Sequence, residues 1–177
     1  MTDVPIVVTG LMGAGKSTVA RLLADALGRP LRDSDDELLE RYGMTAADIA
    51  ADLGAAELHA REASLLLEAL AGDPSVVIAA AASAVEDAAA RRALGQAFVV
   101  FLDAPPAVLA ERRLRGTHRP RFAREPAEAL TERRKRRLAY FSEVADLTAD
   151  SSRQAPEEIA ARALARFAKM KRSGRAE

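Results

Sequence analysis

Apolar positions follow two rhythms along this chain. Ile6, Val7 and Val8 are contiguous and end at Thr9-Gly10, which predicts a buried strand followed by a turn. From Thr18 to Leu27 the apolar residues Val19, Leu22, Leu23, Ala26 and Leu27 recur at helical spacing, with Gly28 as the stop. Leu31 opens a second short strand that leads into Asp33-Ser34-Asp35. Helical patterns follow over Asp36–Tyr42, Thr45–Ala51 and Ala55–Ala71. Further strands are predicted at Val76–Ile78, Phe98–Leu102 and, more weakly, Ala145–Thr148. Helices fill Val85–Leu94, Pro106–Leu114, Pro126–Phe141 and Pro156–Met170, and Lys171 to Glu177 reads as a frayed end.

Strands alternating with helices call for an α/β fold, a parallel sheet with helices on both faces. The runs at 6–8, 76–78 and 98–102 are continuous rather than alternating, as strands buried on both sides should be. The pattern contains no internal repeat and no long linker, so the expectation is one domain over residues 1–177.

Composition narrows the class. Apolar residues make up 49% and charged residues 29%, the balance of a folded chain rather than a disordered tail. Basic and acidic side chains number 26 each, and this neutrality argues against a general nucleic-acid binder. There are no cysteines, which excludes disulfides, thiolate metal sites and cysteine nucleophiles. With only two histidines, His59 and His118, a histidine-rich metal site is not expected. The start of the chain reaches Asp3 without a basic leader, and the longest apolar run, Val76 to Ala82, is far too short to span a membrane. The expectation is a cytoplasmic protein without membrane or nucleic-acid partners, working as a monomer.

Gly10-Leu11-Met12-Gly13-Ala14-Gly15-Lys16-Ser17 matches the phosphate-binding Walker A pattern, between a predicted strand and a predicted helix. Glycines let the backbone curl around phosphates and aim its N–H groups inward. Gly13, Ala14, Gly15, Lys16, Ser17 and Thr18 are therefore the candidate nucleotide contacts. Lys16 supplies charge to the β- and γ-phosphates, and the Ser17 hydroxyl suits Mg²⁺. The positive end of the following helix points at the same anion.

Asp33 and Asp35 follow the second strand, at the end of the sheet where ligands bind in open α/β folds. Two readings stand side by side for them. One carboxylate serves Mg²⁺ and the other takes a proton from an acceptor hydroxyl, or the pair with Ser34 simply caps the next helix. Asp36 and Glu37 read as first-turn helix residues.

Residues 111–137 hold eleven basic and four acidic side chains, so the rest of the chain is net acidic. Arg119, Arg121 and Arg124 follow Gly116-Thr117, the composition of a mobile loop whose arginines would cover a transferring phosphoryl group. Arg133, Arg134, Lys135, Arg136 and Arg137 lie on one predicted helix, so at most two of them can address one ligand. That basic run has no interleaved aromatics to stack nucleic-acid bases, which weakens the competing reading as a nucleic-acid patch.

Together these residues resemble the shikimate kinase family of small P-loop phosphotransferases. The segment 10–18 is similar to that family's first motif, and Asp33-Ser34-Asp35 to its paired-aspartate motif. The resemblance implies that Asp33 serves the metal and Asp35 the acceptor hydroxyl. Gly43-Met44-Thr45 with Asp48-Ile49 resembles the stretch leading to the substrate helices. Arg119-Pro120 resembles the lid arginine on the ATP phosphates, and Arg136, four residues before Tyr140, the arginine that pairs with a substrate carboxylate. Asp150-Ser151-Ser152-Arg153 before Pro156 is similar to the adenine loop, with Arg153 at the nucleotide. The implied fold is a three-layer P-loop kinase with a five-stranded parallel sheet in the order 2-3-1-4-5 and a lid over about 113–125.

Two departures fall in the acceptor half. His59, in Leu58-His59-Ala60-Arg61-Glu62, stands where the family carries a carboxylate-binding arginine. Imidazole lacks the guanidinium fork and is only partly charged at neutral pH. Arg61 is two residues away on the helix and faces elsewhere. Ala79-Ala80-Ala81-Ala82-Ser83-Ala84 replaces a triple-glycine turn, where added methyl groups block close approach and any positive φ becomes strained. The implied activity is ATP- and Mg²⁺-dependent phosphotransfer to a hydroxyl of a small anionic acceptor, either shikimate or another hydroxy acid. A same-fold kinase for a polyol, sugar acid or cyclitol, and a nucleotide-binding protein without turnover, remain the alternatives.

Overall fold

The computed structural model describes residues 3–115 and 127–173. The elements run β1 (Ile6–Gly10), α1 (Lys16–Leu27), β2 (Leu31–Asp33), α2 (Ser34–Tyr42), α3 (Ala46–Asp52), α4 (Ala55–Ala71) and β3 (Val77–Ala79). A 3₁₀ turn (Ala84–Glu86) then leads to α5 (Ala88–Leu94), β4 (Phe98–Asp103), α6 (Pro106–Arg115), α7 (Ala127–Val144), β5 (Leu147–Asp150) and α8 (Pro156–Arg172). The helix expected over Val85–Leu94 is broken into two pieces. Asp87 separates them because its carboxylate accepts from the N–H of Ala90 at 2.8 Å and starts α5 afresh.

The strands pair in parallel in the order β2-β3-β1-β4-β5, as the family resemblance implies. Every residue of β1 is buried, consistent with its unbroken apolar run. Two ring pairs show how both faces of the sheet are covered. Phe98 meets Phe167 of α8 at 5.4 Å between centroids, whereas Phe101 stacks on Phe141 of α7 at 4.5 Å. Three residues apart on β4, the two phenylalanines point to opposite faces. A second, smaller apolar cluster joins Leu38, Ala46, Ile49, Leu58 and Leu65, so α2, α3 and α4 pack as a unit beside the main core. Thr45 and Asp48 cap α3 reciprocally, which gives the 43–49 segment a local structural role. Among the described residues no helix is long and apolar enough to cross a membrane.

Gly10 explains how tightly the loop leaves the sheet. It pairs with Leu102 of β4, its φ is +146°, and a Cβ there would lie 2.4 Å from the Leu102 carbonyl oxygen. No side chain fits without moving backbone.

Candidate active site

The loop between β1 and α1 curls at the carboxyl end of the sheet. The N–H of Ala14 donates to the Leu11 carbonyl at 3.1 Å, and the Lys16 ammonium donates to the same carbonyl at 3.3 Å. Gly13 has φ +88°, and a Cβ there would come within 3.1 Å of the Leu109 carbonyl on α6. Glycine thus lets α6 close down on the loop. Ser17 and Thr18 are exposed in the first turn of α1, where unpaired N–H groups and the helix dipole favour an anion.

A cleft of about 130 Å³ opens beside the loop. Its walls come from Lys16, the start of α2, helices α3 and α4, the turn after β3, and α7. Asp35 lines this cleft together with Lys16, so the second aspartate faces the phosphate loop as expected. Asp33 behaves differently. It is buried, and its Oδ1 accepts from the N–H of Asp35 at 3.0 Å, so the capping reading holds for it. The cap engages one oxygen and leaves the other for a second role. Asp36 is exposed and Glu37 forms a two-point ion pair with Arg32, so neither enters the cleft.

His59 and Glu62 face the cleft from successive turns of α4. Burial lowers the pKa of His59, and the nearby charges of Arg137, Arg136 and Arg133 push it further down against the opposing pull of Glu86. The imidazole is therefore neutral at physiological pH. Arg61 points away, donating to Glu57 at 2.7 Å and covering the Tyr42 ring at 4.2 Å, so it does not replace the missing guanidinium. Glu62 is 8% exposed, and burial raises its pKa while the Ser83 hydroxyl, Arg137 and Lys16 draw it back down. Ser83 donates that hydroxyl directly to Glu62. Through Ala81, Ala82 and Ser83 the backbone keeps negative φ. The strain anticipated from losing glycines is absent, and Ser83 takes right-handed backbone that leads into the 3₁₀ turn.

The arginine expected at 136 needs correction. Arg137, not Arg136, lines the cleft, together with Arg133. The side chain of Arg137 is 6% exposed and that of Arg136 58%. Both guanidinium groups donate through Nε to Oε1 of Glu86, at 2.6 Å from Arg137 and 2.9 Å from Arg136. Helix phase explains the difference. Leu130 and Phe141 are the buried residues that seat α7. At about 100° per residue, Arg137 falls about 20° from Leu130 and Arg136 about 120° away. Arg134 leaves the cleft for a bidentate pair with Asp103, at 3.0 and 2.6 Å.

On the nucleotide side, the loop after β5 lies against the phosphate loop. Arg112 of α6 donates to the Ser151 carbonyl at 2.5 Å, to the Ser151 hydroxyl at 3.3 Å and to the Gly13 carbonyl at 3.4 Å. Sequence reasoning missed this bridge, since one arginine in a basic run carries no separate signal. Arg153 is exposed on the same loop, with its N–H bonded to the Asp150 carbonyl at 3.3 Å. Arg119 and most of the lid expected over 113–125 lie outside the described residues. A larger groove of about 640 Å³, lined by Val4, Gln96 and Asp146 among others, sits at the opposite, amino ends of the strands and contains none of the motif residues.

This arrangement has close counterparts among known proteins. Residues 12–168 match the family described as shikimate kinase. The chain belongs to the shikimate kinase family. A shikimate kinase from Thermobifida fusca is 37% identical over 87% of this chain and 89% of its own length. One from Pseudomonas syringae is 34% identical over 93% of this chain and 96% of its own. The structure of a shikimate kinase from Acinetobacter baumannii in complex with shikimate superposes with a TM-score of 0.87, at 32% identity and 96% coverage of both chains. This member of the shikimate kinase family is accordingly an ATP-dependent small-molecule kinase that phosphorylates a hydroxyl. His59, Ala81, Ala82 and Ser83, the positions of the two sequence departures, all line this cleft.

Proposed function

We propose that this chain transfers the γ-phosphoryl group of ATP to a ring hydroxyl of shikimate, with Mg²⁺, as a cytoplasmic monomer. The observation that carries the reading is the shared cleft. Lys16, Asp35 and Arg137 line one cavity, so a phosphate-binding cation, a proton acceptor and a carboxylate-binding guanidinium converge on it.

The loop amides and Lys16 hold the β- and γ-phosphates, and Thr18 and Arg153 extend the nucleotide contacts. Ser17 and the free oxygen of Asp33 are hard donors suited to Mg²⁺, which neutralises developing phosphate charge when bound. Asp35 orients the acceptor hydroxyl and takes its proton as the oxygen attacks. Arg137 pairs with the acceptor carboxylate, while neutral His59 contributes shape and a hydrogen bond rather than charge. Arg119, outside the described residues, is assigned to the transferring phosphoryl group only by its resemblance to the family's lid arginine.

The test is shikimate-dependent ADP release with purified protein, with and without EDTA, and identification of the phosphorylated product by mass spectrometry. Turnover that needs shikimate and is lost with EDTA supports the reading. ATP binding without acceptor-dependent turnover overturns it.

A further inference from the structure

Arg137 is the buried arginine of the cleft, yet its Nε–H is already given to Glu86. Glu86, at the end of the 3₁₀ turn outside the cleft, accepts from Arg137 Nε at 2.6 Å and from Arg136 Nε at 2.9 Å through the same oxygen. The two arginines differ in access, with side chains 6% and 58% exposed, and Glu86 stands between them at 25%. A carboxylate held by one buried and one exposed guanidinium can give up the first and keep the second. The arrangement is thus a two-place seat for Glu86, with Arg136 as the position it keeps when Arg137 is taken.

Resting on the acceptor reading above, we propose that Glu86 is an internal competitor for the acceptor's carboxylate, drawing on the same Arg137 charge and donors that the acceptor needs. Glu86 thereby sets the affinity for carboxylate-bearing acceptors without touching the reacting atoms. Two further observations fit. Burial works against the charge of Glu86, but its bonds to Arg137 and Arg136 keep its pKa below the ordinary value, so it competes as an anion. Glu86 also acts electrostatically on His59, which lines the cleft, so its charge is felt where the acceptor sits. With His59 neutral, Arg137 and Arg133 are the cleft's arginines, and the hold on one of them matters more.

The experiment compares wild type with Glu86→Gln, Arg136→Met and their double variant. Calorimetric affinity and steady-state rates are measured for shikimate, and calorimetric affinity alone for its methyl ester, which lacks the carboxylate. Glutamine keeps a hydrogen-bond acceptor for Arg137 but removes the charge. Glu86→Gln should tighten shikimate binding about 5- to 20-fold, leave kcat within about twofold, and leave the methyl ester unaffected. Arg136→Met should weaken shikimate about 2- to 4-fold by removing the seat Glu86 retires to, and that effect should vanish in the double variant. Unchanged or weakened shikimate binding in Glu86→Gln, or equal gains for acid and ester, overturns the proposal. Should wild type fail to phosphorylate shikimate, the acceptor reading falls by itself. Glu86→Gln that then gains shikimate turnover or affinity still supports the competitor role, and one that gains neither overturns it.

Discussion

Ser83 donates its hydroxyl to the carboxylate of Glu62 in the buried wall of the acceptor cleft, joining α4 to the turn after β3. Burial raises the pKa of Glu62 above its ordinary 4.5. A raised folded-state pKa contributes stability below the unfolded value and loses it as pH climbs through the folded one.

Glu62→Gln removes that titration while keeping an acceptor for Ser83. The variant should therefore gain stability relative to wild type as pH rises from about 4.5 toward neutrality, with little difference below. Melting temperatures of both proteins across pH 4–8 check this, at about 2–4 °C per kcal/mol for a chain of this size. Parallel curves would contradict the raised value.

The helix phase of α7 makes a pairwise prediction. Arg137→Met should raise KM for shikimate about 10- to 100-fold, the loss of one charge-assisted pair. Arg136→Met should raise it less than about fourfold, since that side chain acts only through Glu86. KM for ATP should stay within about twofold in both, as measured by initial rates. Equal effects from the two variants would mean the cleft does not distinguish them.

His59 is neutral at physiological pH because it is desolvated beside arginines. His59→Arg should tighten shikimate about tenfold at pH 7.5 by adding a permanent cation. In wild type, shikimate affinity should rise only as pH falls beneath the ordinary imidazole range, because proton uptake then supplies the cation. Calorimetry at several pH values checks both statements, and the arginine variant should lose the acid-side gain.

Arg112 ties the loop after β5 to the phosphate loop. Arg112→Ala should raise KM for ATP about 3- to 10-fold, as three hydrogen bonds that align the two nucleotide loops are lost. KM for shikimate should be unaffected, and initial-rate kinetics with each substrate varied in turn separates the two.

Much of this was legible in the residues themselves. Contiguous apolar runs marked β1, β3 and β4, and the spacing of glycines ahead of Lys16 marked the phosphate loop, because each encodes a local requirement. The strand order came from family likeness, since periodicity does not say which strands are neighbours. Long-range partners were the blind spot. Arg136 matches the family by its distance from Tyr140, whereas Leu130 and Phe141 set the phase of α7 and turn Arg137 inward. That phase is encoded in the sequence, because the apolar positions of α7 orient the basic run. Glu86 and Ser83 carried no such signal, since their partners lie 51 and 21 residues away. The break at Asp87 was hidden because its alanine-rich surroundings favour a continuous helix.

The proposed phosphoryl transfer occurs where Lys16 and Asp35 share a cleft. Its most direct test is the single-turnover rate of phosphoshikimate formation in Asp35→Asn, with ATP and shikimate affinities measured alongside. The rate should fall about 10²- to 10⁴-fold while both affinities stay within a few-fold of wild type. A variant that transfers phosphate at the wild-type rate would show that Asp35 does not serve the acceptor hydroxyl.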